Sequence, residues 1–169
     1  MDTYTAILSR RSIRKFKQEK VSDELIDKLL EAGYNAPSAC NRKPFIMYVI
    51  ENQEKLELLN KSGRFTNMPS PLIILVCGDL NKALPKGFKD YWIQDCSAVT
   101  QNILIMAQAL GLGTCWNGVH PQELVVKKIK EILNLEENII PLSLIHIGYP
   151  DEIKEMNKGY KKDSVIIIK

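Results

Sequence analysis

Gly111-Leu112-Gly113-Thr114-Cys115-Trp116-Asn117-Gly118-Val119 follows the longest helical pattern in the chain, and what this stretch becomes decides how its neighbours are layered. Upstream, from about residue 90 to 110, Ile93, Cys96, Val99, Ile103, Leu104, Met106, Ala107 and Leu110 put apolar groups around much of a helix circumference. A helix so apolar is central, not peripheral. The glycines stop it, and residues 114 to 119 resume as a short strand or tight turn. Downstream, Pro121 stands where another helix would start, running to about Leu133 through Leu124, Val125, Ile129 and Ile132. Pro141 to Ile147 then reads as the last core strand, closed by Gly148-Tyr149-Pro150.

The first half has the same grain. Ser22 to Tyr34 carries Leu25, Ile26, Leu29 and Leu30 at helical spacing, with Ser22 as the N-cap and Asp23 and Glu24 in the first turn. Ala36 to Pro44 is a loop rich in turn formers. Phe45 to Ile50 reads as a strand, and Gln53 to Lys61 as a charged helix. After a loop through Gly63, Pro69 and Pro71, Leu72-Ile73-Ile74-Leu75-Val76-Cys77 is continuously apolar, as in a strand buried on both faces. Alternating helices and strands, with a strand directly after the Gly111 turn and an isolated apolar run at Val165 to Ile168, predict an α+β layered sheet in one domain, residues 1–169. That terminal run either pairs with a partner subunit's sheet or with its own.

Bulk numbers narrow the function. Hydrophobic residues at 45% and charged residues at 25% are ordinary globular values, and a net charge of +3 spread along the chain argues against nucleic acid and for a small anionic ligand. Cys40, Cys77, Cys96 and Cys115 show no metal spacing and no leader precedes them, so the chain reads as cytoplasmic with reduced thiols. No apolar run approaches the roughly 20 residues of a membrane span. His120 and His146 alone disfavour a histidine metal site or a Ser-His hydrolase. Walker, Gly-x-Gly-x-x-Gly and Gly-x-Ser-x-Gly patterns are absent.

What remains begins at Arg10-Arg11-Ser12-Ile13-Arg14-Lys15-Phe16. In an extended segment Arg10, Ser12 and Arg14 project to one side and Arg11 to the other, a one-sided anion cradle suited to phosphate. By itself it reads more readily as a solvated basic turn. The polar loop Ser38 to Lys43, the Gly111 to Gly118 turn with Trp116, and Lys161-Lys162 are its candidate companions. A Gly-rich backbone lets a flat ring approach and offers it N–H donors, so together these suggest a phosphorylated aromatic cofactor. Trp116 fits a core position as well as a stacking one, and Cys40 and Cys115 fit small buried hydrophobes better than nucleophiles.

In this order the sequence resembles the FMN-dependent nitroreductase-like family. The likeness is carried by Arg10 to Phe16, by Ala36-Pro37-Ser38-Ala39-Cys40-Asn41-Arg42-Lys43-Pro44-Phe45, by Asp95 to Gln101 leading into Ala109 to Trp116, and by Ile147-Gly148-Tyr149-Pro150. The resemblance implies a three-layer α+β fold, with a mixed, mainly antiparallel sheet and a C-terminal strand exchanged within an intertwined homodimer that binds FMN at its interface. It implies Arg10 and Ser12 at the FMN phosphate with Arg11 adjacent, Lys161 or Lys162 completing that site, and Arg14 near the pyrimidine end of the flavin, where negative charge develops on reduction. Pro37, Ser38, Ala39 and Asn41 would come from the other subunit. Cys115, Trp116, Asn117 and Gly118 would pass along the opposite face, with the Gly118 N–H a donor to flavin N5.

The implied activity is hydride transfer from NADH or NADPH through FMN to a small acceptor such as a nitroaromatic or quinone, in a ping-pong scheme. Alternatives are reductive dehalogenation or reduction of an activated double bond on the same fold, and a flavin-binding or sensing protein with incidental turnover. Lys43 departs from the family's usual Gln and is expected to face solvent. The short stretch from Asp79 to Tyr91 implies an open pocket, with Phe88 and Tyr91 as lid candidates.

Overall fold

The structure is a computed structural model describing residues 1–85, 87–157 and 159–169. Helix α1 spans Thr3–Ser9 and α2 Asp23–Tyr34; β1 is Phe45–Ile50, α3 Gln53–Asn60, β2 Leu72–Asp79, α4 Tyr91–Ala109, β3 Gly113–Gly118, α5 Glu123–Leu133 and β4 Ile139–Gly148. Local chemistry sets the helix starts. The Asp2, Ser22 and Asn52 side chains accept from the N–H groups of Thr5, Leu25 and Lys55, satisfying donors that the first helical turn leaves open. Pro121 does not open α5. Val119 and His120 still donate their N–H groups to Leu142 O, so the chain stays tied to the sheet and turns before the helix starts at Glu123.

The strands form one sheet in the order β1-β2-β4-β3. Its neighbours are all antiparallel, so the expected mixture of directions is reduced, among the described residues, to an isolated parallel bridge between Ser12 and Thr114. Strand β2 is buried along its whole length. Its Leu72, Ile74 and Val76 pack with Val99, Ile103 and Ala107 of α4 and with Ile26 and Leu29 of α2. Its Ile73, Leu75 and Cys77 pack on the other face with Leu56 and Leu59 of α3 and Ile129 of α5. The alternation of a strand thus serves two helical layers, giving the three-layer α+β arrangement.

Residues 165 to 168 form no strand within this chain. They follow a short 3-10 turn, Lys162–Ser164, and Ile166 and Ile168 are 87% and 94% exposed. Among the described residues, no helix is long and apolar enough to cross a membrane.

Candidate functional site

Arg10 caps α1, its N–H bonded to Ala6 O, and the chain then runs extended along the outer edge of β3. There Ser12 pairs with Thr114, and the Ile13 N–H donates to Thr114 O at 2.8 Å. Gly113 makes this approach possible: a Cβ on it would stand 2.9 Å from Ile13 Cβ. Gly111, at φ +79°, supplies the left-handed turn between α4 and β3. Ile13 and Phe16 are buried with Met68 and Cys115, so the arginine-bearing segment is rooted on an apolar cluster of its own.

Beside this segment opens a cleft of about 490 Å³. Arg14 stands at one wall, Cys115 to Gly118 of β3 form another, and the loop from Gly63 to Met68 closes a third. Among the described residues, no carboxylate lines it. Along β3, Trp116 and Gly118 are exposed while Cys115 and Asn117 are buried, as strand alternation requires. Asn117 Nδ2 is buried in this wall with no hydrogen-bond partner among the described residues, a donor without an acceptor. A Cβ at Gly118 would meet nothing within 4 Å. The Gln122 side chain donates to Gly118 O at 3.0 Å and fixes the orientation of that peptide.

The electrostatics favour an anion. Burial pushes the Cys115 thiol pKa up, opposed in part by the positive charge of Arg14. His146, opposite Cys115 in the sheet register, is fully buried, with Nδ1 3.2 Å from Ser70 Oγ. Burial pushes its pKa down to about 4, so it is neutral at ordinary pH.

The other expected site residues stand as follows. Arg11 turns to the opposite side, its Nη1 donating to Glu155 O. Pro37, Ser38, Ala39 and Asn41 do not line this cleft. They form a separate loop in which Ala39 N–H donates to the buried Asp95 at 2.8 Å and Ser38 Oγ accepts from Lys43 N–H at 2.9 Å. Desolvation raises the Asp95 pKa. Lys43, at φ +46°, lies at the surface outside the cleft, its Nζ 3.9 Å from the centre of the exposed Tyr34 ring and donating to Tyr34 O at 3.4 Å. Lys161 and Lys162 are exposed on the tail. Phe88 and Tyr91 pack on each other, 6.1 Å between ring centres, outside the cleft.

Sequence reading missed the loop from Gly63 to Met68, which brings Arg64, Phe65 and Asn67 to the cleft. Its only signal was an Arg-Phe pair between Gly63 and Pro69. Thr66 builds the loop's shape, its hydroxyl accepting from Gly63 N–H and donating to the Asn60 carbonyl.

The nitroreductase family model matches residues 7–64 and 64–149. The chain belongs to the nitroreductase family. A relative in Methanothermobacter thermautotrophicus, provisionally named an NADH dehydrogenase/NAD(P)H nitroreductase, is 42% identical over 154 residues, covering 90% of this chain and 79% of the relative. A solved structure from Parabacteroides distasonis, provisionally named in the same way, superposes with a TM-score of 0.92 at 33% identity, covering 98% of this chain and 96% of that one. A nitroreductase-type structure from Desulfovibrio desulfuricans, in complex with FMN, gives 0.84 at 28% identity over 100% and 98% of the two chains.

Proposed function

We propose that this nitroreductase-family protein is an FMN-dependent NAD(P)H oxidoreductase acting on small acceptors such as nitroaromatics or quinones. The observation that carries the reading is Asn117: a buried amide donor without a partner, next to a glycine with open space above it, in a cleft with a basic wall. Leaving such a donor unpaired costs about 1–3 kcal/mol, and a ring bearing acceptors would recover it. A volume of about 490 Å³ falls within the ordinary range of cofactor sites. These features support FMN, with Arg10 and Ser12 on the segment beside the cleft and not among the residues that line it.

Arg10 and Ser12 would hold the phosphate, with Arg11 bracing the same segment from its far side. Arg14 would face the pyrimidine end, where a fixed guanidinium stabilises developing negative charge. Asn117 and the Gly118 N–H would meet the ring edge. When bound, FMN supplies acceptance of hydride from NAD(P)H and its delivery to the acceptor, both in one open cleft used in turn. The protein contributes position and charge, without a titrating side chain as acid or base. The loop bearing Arg64 and Phe65 borders this cleft, so it is the wall an acceptor would meet, ahead of Phe88 and Tyr91.

The reading includes a second copy of the chain. Pro37, Ser38, Ala39 and Asn41 would reach the partner's flavin. The exposed run Val165 to Ile168 would cross to the partner's sheet, bringing Lys161 or Lys162 towards a phosphate. An apolar run left free invites association, and β1 is an edge strand that offers unpaired backbone groups. The test is FMN content after purification, followed by NADH and NADPH oxidation with a panel of acceptors. Arg10→Ala and Ser12→Ala should each lose FMN, and Arg14→Ala should lower the midpoint potential. Full FMN retention in the first two would remove the phosphate assignment. A flavoprotein that neither nicotinamide reduces would be a binding or sensing protein instead.

A further inference from the structure

The anion-binding segment is held from two sides. One side is the bridge to β3. On the other, the strap from Tyr149 to Glu155 runs along the segment. Lys17 N–H donates to Tyr149 O and Asp151 N–H to Lys15 O, both at 2.9 Å, and Phe16 bridges to Pro150. Glu152 Oε1 accepts from Arg14 N–H at 2.5 Å and from Lys15 N–H at 3.3 Å. Lys154 Nζ donates to Ser12 O at 2.6 Å and lies 3.3 Å from Glu152 Oε1. The circuit Ser12–Lys154–Glu152–Arg14 is closed, and its two charged side chains are only 25% and 22% exposed. This strap lies almost wholly beyond residue 149, where the family match ends.

A carboxylate beside an anion site is at first sight misplaced, because it would repel a phosphate. Here its charge is engaged by Lys154 and by two backbone N–H groups, and the Arg14 N–H bond holds its pKa below the usual carboxylate range. What the circuit fixes is direction: the peptides on either side of Ile13 and Arg14, which aim the Ser12 hydroxyl and the Arg14 guanidinium. A site held in place by supporting hydrogen bonds binds better than one left to find its geometry.

We infer that Glu152 and Lys154 are positioning residues of the flavin site, clamping the backbone from Ser12 to Lys15 so that its side chains meet the cofactor; this rests on the FMN reading above. Glu152→Ala leaves two N–H groups unheld, Lys154→Met opens the circuit at Ser12, and Glu152→Gln keeps a carbonyl oxygen within the same reach. The experiment titrates FMN into each apoprotein by flavin fluorescence, measures the midpoint potential at saturating FMN, and records apoprotein melting. Glu152→Ala should raise the FMN Kd by roughly tenfold to a hundredfold, the scale seen when residues that support a bound group are removed, and should shift the potential. Lys154→Met should act in the same direction, and Glu152→Gln should recover most of the affinity. If Glu152→Ala and Lys154→Met melt lower yet keep the wild-type Kd and potential, the strap is only structural and the inference is overturned. Wild-type protein that does not bind FMN would instead overturn the flavin reading, and this inference with it.

Discussion

Gly113→Ala puts a methyl group where the arginine-bearing segment crosses β3. The new Cβ would lie 2.9 Å from both Ile13 Cβ and Cγ2 and 3.0 Å from Cγ1. Carbon atoms meet comfortably at about 3.5–4.0 Å, so the segment or the strand must move by roughly half an ångström or more. Rotating a side chain cannot relieve a clash with Cβ itself; the backbone at Ile13 has to give, and with it the bond from Ile13 N–H to Thr114 O. Overpacking of this kind costs about 1–3 kcal/mol. In a protein of this size each kcal/mol lowers Tm by about 2–4 °C, so the melting temperature should fall by about 2–12 °C. Because Ser12 and Arg14 flank Ile13, FMN affinity should fall as well. Thermal melting of the apoprotein and fluorescence titration with FMN read the two effects separately. A variant with wild-type Tm and wild-type FMN Kd would refute the argument that close backbone contact at Gly113 sets the position of the anion segment.

Gly118→Ala should behave oppositely: nothing in the chain opposes the new methyl, so Tm should hold or rise slightly, while FMN binding weakens because the methyl enters the cofactor's space. Unchanged FMN affinity would place the ring elsewhere. His146 predicts an acid limb in stability. Its folded pKa, about 4, lies below the unfolded value of 6.5, so between those values the unfolded chain binds more protons and stability falls as pH falls. At 1.36 kcal/mol per pH unit the loss approaches about 3 kcal/mol by pH 4. Urea unfolding at pH 6.5 and 4 should show it in wild type and much less in His146→Gln; equal slopes would contradict it. Deleting residues 165–169 should convert a dimer to a monomer in sedimentation and reduce bound FMN, and a dimer that persists with full FMN would rule out strand exchange.

Much of the fold is written in local pattern. Strand β2 could be read because a strand covered on both faces has no polar alternation to confuse it, and Ser22 because a capping hydroxyl acts within three residues. The start of α5 was misread at Pro121 because the bonds from Val119 and His120 to Leu142 come from a strand more than 20 residues away. The terminal run has the composition of a strand, yet among the described residues it forms none and stays exposed.

The site was legible only in fragments. Arg10, Ser12 and Arg14 suggest an anion cradle by residue type and spacing, a reading that FMN titration tests. That Ser12 would meet Thr114, about a hundred residues on, follows from topology and from the absence of a side chain at Gly113. Arg64, Asn67, Glu152 and Lys154 sit in irregular segments without periodicity, where position is set by single hydrogen bonds. The left-handed turn that lays Lys43 on the exposed Tyr34 ring leaves no mark in the sequence.

The central claim is that the cleft between Arg14 and β3 holds a flavin by its ring and its phosphate together. Fluorescence titration of the apoprotein with FMN and, in parallel, with riboflavin tests it most directly. The account predicts saturable quenching at one FMN per chain and much weaker binding of riboflavin, which lacks the phosphate that Arg10 and Ser12 would hold. Equal affinity for the two, or no saturable quenching by FMN, would contradict it.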